Sequence, residues 1–401
     1  MNPQLQRLYD IAQKPERRIV GLMSGTSLDG LDVALCRVAG SGGSTRVALE
    51  RFETVPYSEA FKDSIRAVFA KKQIDFEHLT LLNEQIGQQH GRWVAECLHN
   101  WNINPTDVDL VASHGQTVYH APQQQHRRPG YPNATLQIGD GDHVAAQSGI
   151  ITLSDFRQRH IAHGGEGAPL AVYGDFFMFS QAGEDRILLN MGGIANFTFL
   201  PGSLDASVVF TTDTGPGNTL LDAYARQFTG KPYDENGQMA ARGQVNEALL
   251  SALKDHPFFA QPFPKTTGPE VFSKDYVQHA QQRSHTETIV PNDLMATLTC
   301  FSAETIAQAI QRTLTQGNIT NPHVYMSGGG AHNPVLTQTI ARLLPGCTFA
   351  NTDALGIAGD AKEAVLFAVL ANEAVVGTGT INFGERQGVP SVSMGKISFY
   401  K

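Results

Sequence analysis

The sequence predicts an α/β protein of two lobes, and three observations carry that expectation. The chain has 401 residues, more than one hydrophobic core usually serves at ~100–200 residues per domain. Short apolar runs of strand character alternate with longer stretches in which apolar residues recur at helical spacing. A strand, a glycine-rich turn and a second strand open each half, beginning at Arg18 and again at Arg186. The division is expected between residues 1–150 and 151–374, with a tail of about 375–401 able to pack back on the first lobe.

Taken in order, residues 1–18 are polar and helical in pattern, without the ~7–15-residue apolar stretch of a signal peptide. No later segment approaches the ~20 apolar residues that cross a bilayer, so a cytoplasmic protein without membrane contact is expected. Residues 18–22 (RIVGL) form a strand that breaks at Ser24-Gly25-Thr26-Ser27 and resumes over 31–38. Residues 57–100 read as helix, and 108–112 as a strand leading into Ser113-His114-Gly115-Gln116-Thr117. A loop rich in Pro, Gln and Arg covers 122–133. The second hairpin spans 186–200. A strand over 208–212 then ends in DTGPGN, residues 213–218, before a helix. A strand over 324–327 runs into Gly328-Gly329-Gly330-Ala331-His332-Asn333 and another helix, and 361–374 is a strongly apolar helix.

Composition narrows the function. With 41% hydrophobic and 17% charged residues the chain is ordinarily globular. The absence of a short fixed repeat argues against a solenoid. A net charge of −8 excludes a broad basic surface for nucleic acid. Cys36, Cys97, Cys300 and Cys347 stand far apart without metal-ligand spacing, so reduced thiols are expected rather than disulfides or a metal site. Small-molecule chemistry is what remains.

The chemistry-bearing motifs lie at the turns. In GLMSGTSLDGLD (21–32) small residues let backbone N–H groups approach a phosphate, and hydroxyls add donors. The lysine of a Walker A loop is missing, and a strand rather than a helix follows. The competing reading is an ordinary hairpin turn. The second tip, Asn190-Met191-Gly192-Gly193, has the same economy of side chain, so two hairpins could hold a polyphosphate between them. Asp213 ends a strand where open α/β sheets face their ligands, the place for a general base. An N-cap for the following helix is the alternative. The glycines 328–330 admit a flat ligand against backbone. Arg157 beside the glycines 164–167 suits a carboxylate-bearing ligand. For Arg157, Arg159 and His114, structural pairing is the rival reading.

In that order, phosphate hairpin, second hairpin, acidic strand end and GGG loop resemble the superfamily of hexokinases, actin and heat-shock chaperone ATPases. The wording GLMSGTSLDGLD, SHGQT, DFR, GGEGAPL, NMGGIAN, DTGPGN and SGGGAHN resembles more narrowly the anhydro-N-acetylmuramic acid kinase family, from about Ile19 to Phe383. The resemblance implies a two-lobed actin-like, ribonuclease H-like fold with the active site in the cleft between lobes. It implies ATP and Mg²⁺ as cofactors, with no metal site built from protein alone, and a homodimer as the leading assembly. The implied reaction joins ATP, water and 1,6-anhydro-N-acetylmuramic acid to give N-acetylmuramic acid 6-phosphate in peptidoglycan recycling. Gly25, Thr26, Ser27, Leu28, Asp29, Gly30, Leu31 and Asp32, with Asn190, Gly192 and Gly193, are then the phosphate binders. Gly328, Gly329, Gly330 and Asn333 face adenosine, and Asp213 is the base. His114, Arg157, Gly167 and Glu363 meet the sugar. Glu166 stands where the family usually has Gln, and Met191 where it has Ile.

Overall fold

The computed structural model describes residues 1–168, 170–377, 381–384 and 389–401. Pro169 of the GGEGAPL motif, and 378–380 and 385–388 of the expected tail, lie outside the described residues. The chain divides into two compact units. Unit 1 holds residues 1–179, 206–208 and 356–401, and unit 2 holds 180–205 and 209–355.

Unit 1 is built on β1 (Glu16–Ser24), β2 (Gly30–Ala39), β3 (Arg46–Pro56), β4 (Leu110–Ala121), β5 (Ala134–Ile138) and β6 (Thr152–Ser154). The sheet runs β3-β2-β1-β4-β6, with the strand Lys396–Ser398 antiparallel on the outer side of β6 and β5 pairing the far part of β4. The pairs β1–β2 and β2–β3 are antiparallel, whereas β1–β4 and β4–β6 are parallel. The helix Phe76–Asn100 supplies Leu82, Ile86, Val94 and Leu98 to one core, together with Val20, Leu22, Val33 and Val111 from the sheet. The helix Lys362–Val376, rich in Ala, Leu and Val, packs on β1, β2 and β4. Its approach is so close that a Cβ on Gly21 would lie 1.9 Å from the Ala364 carbonyl oxygen.

Unit 2 carries β7 (Arg186–Met191), β8 (Ile194–Leu200), β9 (Phe210–Pro216), β10 (His323–Ser327) and β11 (Thr348–Asn351). Their order is β9-β8-β7-β10-β11, antiparallel through the first three and parallel through the last. The helix Pro291–Gly317, opened by Pro291 and closed by Asn318 in the left-handed conformation, buries Ile306 and Ile310 against Leu189, Phe197 and Val324 of the sheet. Each unit thus contains the same five-strand order with the same strand directions, the ribonuclease H-like arrangement present twice in one chain.

The unit boundaries differ from the expected 150/151 and 374/375. Strand β6 pairs with β4, and the helix Lys362–Val376 covers β1, so hydrogen bonding and packing hold residues 151–179 and 356–374 in unit 1. Sequence composition does not change at either place, because both segments are apolar core elements like their neighbours.

Candidate active site

The first turn is held from inside. Leu28 takes a left-handed φ of 60° and buries its side chain in the core, which leaves Thr26, Ser27 and Asp29 exposed at the tip. Among the described residues no carbonyl accepts from the N–H groups of Thr26 and Ser27. Such unpaired N–H groups beside free hydroxyls are what an anion binds. Leu28 and Leu31 are core side chains, and a Cβ on Gly30 would sit 2.4 Å from the Val55 carbonyl oxygen. These three therefore offer a nucleotide only backbone. The turn is anchored by Gln116, whose Nε2 donates to the Gly25 carbonyl at 3.3 Å and whose Oε1 accepts from Ser24 Oγ. Ser24 Oγ also meets the Tyr57 hydroxyl at 2.8 Å, which in turn meets His90 Nε2 at 3.2 Å. Burial pushes His90 down to about 3, so this relay ends on a neutral ring.

The other glycine hairpin belongs to unit 2. The Gly192 carbonyl accepts from Asn218 N–H at 2.8 Å, and the Gly193 carbonyl from the N–H groups of Gly217 at 2.8 Å and Thr219 at 3.1 Å. The turn thereby caps the helix Thr219–Thr229. The N–H groups of Gly192 and Gly193 have no backbone acceptor among the described residues. Gly328 to Gly330 press onto the same place. A Cβ on Gly328 would lie 2.7 Å from Asn190 Oδ1, and one on Gly330 would lie 2.7 Å from Met191 Cβ. Close backbone approach to the hairpin is thus the reason for these two glycines. Gly328 and Gly329 remain exposed, whereas Gly330 is buried and turns no face to a ligand. Asn333 is the N-cap of the helix Pro334–Leu343, its Oδ1 accepting from Val335 and Leu336 N–H. That oxygen is already employed.

Asp213 sits at a bulge, where β8 residues Ala195 and Asn196 face Gly215 and Asp213 of β9. It does not cap the helix Thr219–Thr229, whose N-cap position is Asn218. Asp213 Oδ2 accepts from Thr267 N–H at 2.8 Å, and Oδ1 accepts nothing among the described residues. Burial raises the carboxyl above its ordinary value, and the Thr267 hydrogen bond opposes that rise.

A further set gathers in unit 1. Arg157 Nε donates to His114 Nε2 at 2.9 Å, and its Nη1 donates to the Gly167 carbonyl at 2.6 Å. Gly167, at φ 82°, donates its N–H to His160 Nδ1 at 3.0 Å. Burial, aided by Arg157, pushes His114 down to about 3, so the ring is neutral and cannot serve as an acid at neutral pH. Its Nδ1 is buried without a partner among the described residues. Burial lifts the Glu363 carboxyl, and Arg157 draws it back down. Asp32 is raised by burial and by Asp360 and Asp29, and it adds to the rise at Glu363. The residues expected to meet the sugar and the acidic end of the first turn therefore share one electrostatic neighbourhood. Glu166 is drawn aside, accepting from Gln124 Nε2 at 3.0 Å.

The family model for anhydro-N-acetylmuramic acid kinase matches residues 17–384. The chain belongs to that family. It is 55% identical over 402 residues to the anhydro-N-acetylmuramic acid kinase of Pseudoalteromonas atlantica, with all of both chains covered. It is 38% identical to that of Caldanaerobacter subterraneus subsp. tengcongensis, covering 98% of this chain and all of the relative. Among solved structures, a hexokinase from Schistosoma mansoni complexed with glucose aligns over 90% of this chain and 86% of its own, at 10% identity and a TM-score of 0.34. That score is too low to add to what the strand order shows. As a member of the anhydro-N-acetylmuramic acid kinase family, the chain is a kinase.

Within this kinase, sequence reasoning passed over Gln116, although SHGQT was in view, and over Tyr57, His90 and Asn218, which brace the two turns. It also missed Thr267, whose signal was the cluster Pro262, Pro264, Lys265, Thr266, Thr267 and Gly268. Among the described residues no three metal-ligating side chains converge, and no helix is long and apolar enough to cross a membrane.

Proposed function

We propose that this kinase uses ATP and one water molecule to open 1,6-anhydro-N-acetylmuramic acid and place a phosphoryl group on O6, which serves reuse of cell-wall fragments. The observation that carries the reading is Asp213: a half-buried carboxylate at a strand bulge, with one oxygen fixed by Thr267 and the other uncommitted among the described residues. Oδ1 takes the proton of a water that attacks the anomeric carbon. The bond from that carbon to the bridging oxygen breaks, and the freed oxygen attacks the γ-phosphorus as ADP leaves. Phosphoryl transfer asks the protein mainly for position and charge neutralisation. The unpaired N–H groups of the two hairpins supply the first part of both. Gly328 and Gly329, exposed beside the second hairpin, are the surface for adenosine, and His114, Arg157, Gly167 and Glu363 hold the sugar.

Mg²⁺ keeps several waters and binds through one or two carboxylates plus phosphates. A pair of carboxylates, Asp29 in the first turn and Asp32 at the start of β2 with its Oδ1 accepting from Thr54 Oγ1 at 2.6 Å, fits that habit better than a cage of protein ligands, and these are the residues that would hold the ion. When bound with ATP it supplies charge neutralisation at the phosphates. Running the reaction in ¹⁸O-water tests the proposal. Label at the anomeric carbon of the phosphorylated product is expected; unlabelled product means that the chain phosphorylates a free hydroxyl as an ordinary amino-sugar kinase does.

A further inference from the structure

One buried cation in unit 2 is left over by the mechanism. Lys265 is 8% exposed, and among the described residues no carboxylate pairs with it. Its Nζ donates to the Phe258 and Phe259 carbonyls at 2.9 and 3.2 Å. The rings of Phe258, Phe263 and Phe259 surround it with centroids at 4.2, 5.5 and 5.8 Å. Burying an ammonium without a counter-charge is unfavourable, and carbonyls with aromatic faces offset it only in part. For packing alone an apolar side chain would serve better. The charge therefore needs another reason.

The main chain of the same residue supplies it. Lys265 N–H donates to Thr212 Oγ1 at 3.1 Å, and the Lys265 carbonyl accepts from Asp213 N–H at 3.0 Å. Two residues later Thr267 N–H grips Asp213 Oδ2. The segment 265–267 is thus laid along β9 at the base itself, and the ammonium ties it to the helix Pro257–Ala260, whose Phe258 sits in the core with Phe272 and Phe301.

We infer that Lys265 is a positioning residue: its charged head fixes the 265–267 segment so that Thr267 holds one oxygen of Asp213 and leaves the other to take the proton. The inference rests on the reading of Asp213 as the base. Burial, with Arg312 adding to it, pushes Lys265 down to about 8. Arg312 comes from the helix Pro291–Gly317 and lies over the Phe263 ring, and His256 faces Phe259 from the start of the neighbouring helix.

The test compares Lys265→Met, Lys265→Arg and Asp213→Asn in steady-state assays with ATP and 1,6-anhydro-N-acetylmuramic acid between pH 5 and 10. Lys265→Met keeps an unbranched side chain in the ring cage and loses the charge. Its kcat should fall by ~10–100-fold, with KM for ATP unchanged within about twofold. Its acidic limb should move to higher pH, because the hydrogen bond that lowers the Asp213 pKa is loosened. Lys265→Arg should restore most of the rate and keep the acidic limb in place. It should also move the alkaline fall upward, since a guanidinium stays charged. A folded Lys265→Met enzyme with wild-type kcat and acidic limb overturns the inference. Should that variant not fold, a Lys265→Arg profile superimposed on the wild type on the alkaline side overturns it equally. Activity retained by Asp213→Asn would instead remove the reading on which the inference stands.

Discussion

A carboxylate half withdrawn from water holds its proton more tightly than a free one, and Asp213 is in that position. Two opposite consequences follow for catalysis and for stability. In the proposed role of base, the raised pKa makes the ionised form a better proton acceptor and should shift the acidic limb of kcat upward from the ordinary carboxylate value. For folding, the native state binds this proton more tightly than the unfolded chain does. Stability is therefore lost as pH rises from the ordinary carboxylate value through the raised one, and ionised Asp213 remains a burden at neutral pH. Asp213→Asn should lower turnover by ~10²–10⁴-fold while its Tm at pH 7 equals or exceeds that of the wild type. A folded variant that keeps most of its turnover would exclude the carboxylate from the reaction. Its place in the strand was legible because the strand and its glycines are adjacent in sequence. The donor that fixes it was not, since Thr267 stands 54 residues away, and no local pattern announces such a contact. Chemistry alone pointed to Arg157 as a reader of a carboxylate; in the structure two of its donors are spent within the chain on His114 and Gly167.

Elements fared differently according to how much local signal they carry. Both glycine hairpins could be read from their tips, but the reasons for individual glycines could not. Gly328 and Gly330 answer to Asn190 and Met191, which lie far back in the chain. Strand β3 gives little signal because it is an edge strand whose side chains are nowhere fully buried, so apolar and charged residues interleave without a clean period. Gly21 is the sharpest case of an element set by a partner remote in sequence. Its strand looks ordinary, yet the helix Lys362–Val376 rests on its bare Cα. Gly21→Ala places a methyl group against the Ala364 carbonyl, so the helix must shift. Overpacking of this kind costs about 1–3 kcal/mol, which chemical denaturation should register. Because Glu363 rides in the first turn of that helix, KM for the sugar should rise in the same variant, whereas a change in stability with unaltered KM would separate the helix from the substrate.

At the scale of the whole molecule, the two-lobed expectation was legible from length and the repeated hairpin, while the division of the chain between units was not. Periodicity identifies strands and helices without saying which sheet they join. That depends on pairings such as β6 with β4 and Lys396–Ser398 with β6. The observed division predicts the behaviour of fragments. Residues 180–355 contain the complete β9-β8-β7-β10-β11 sheet and its helices, so this fragment should show a cooperative thermal transition by circular dichroism. Residues 1–179 lack the helix that covers β1 and should not show one until 356–401 are supplied as a separate peptide; a cooperative melt of 1–179 alone would show that the covering helix is dispensable. The same helix sets an order of events during synthesis. The ribosome releases the first glycine turn before unit 2 and the helix that covers β1 after it, so the lobe begun first is completed last. While unit 2 is being made, the apolar face of β1 awaits its cover and stands open to other partners.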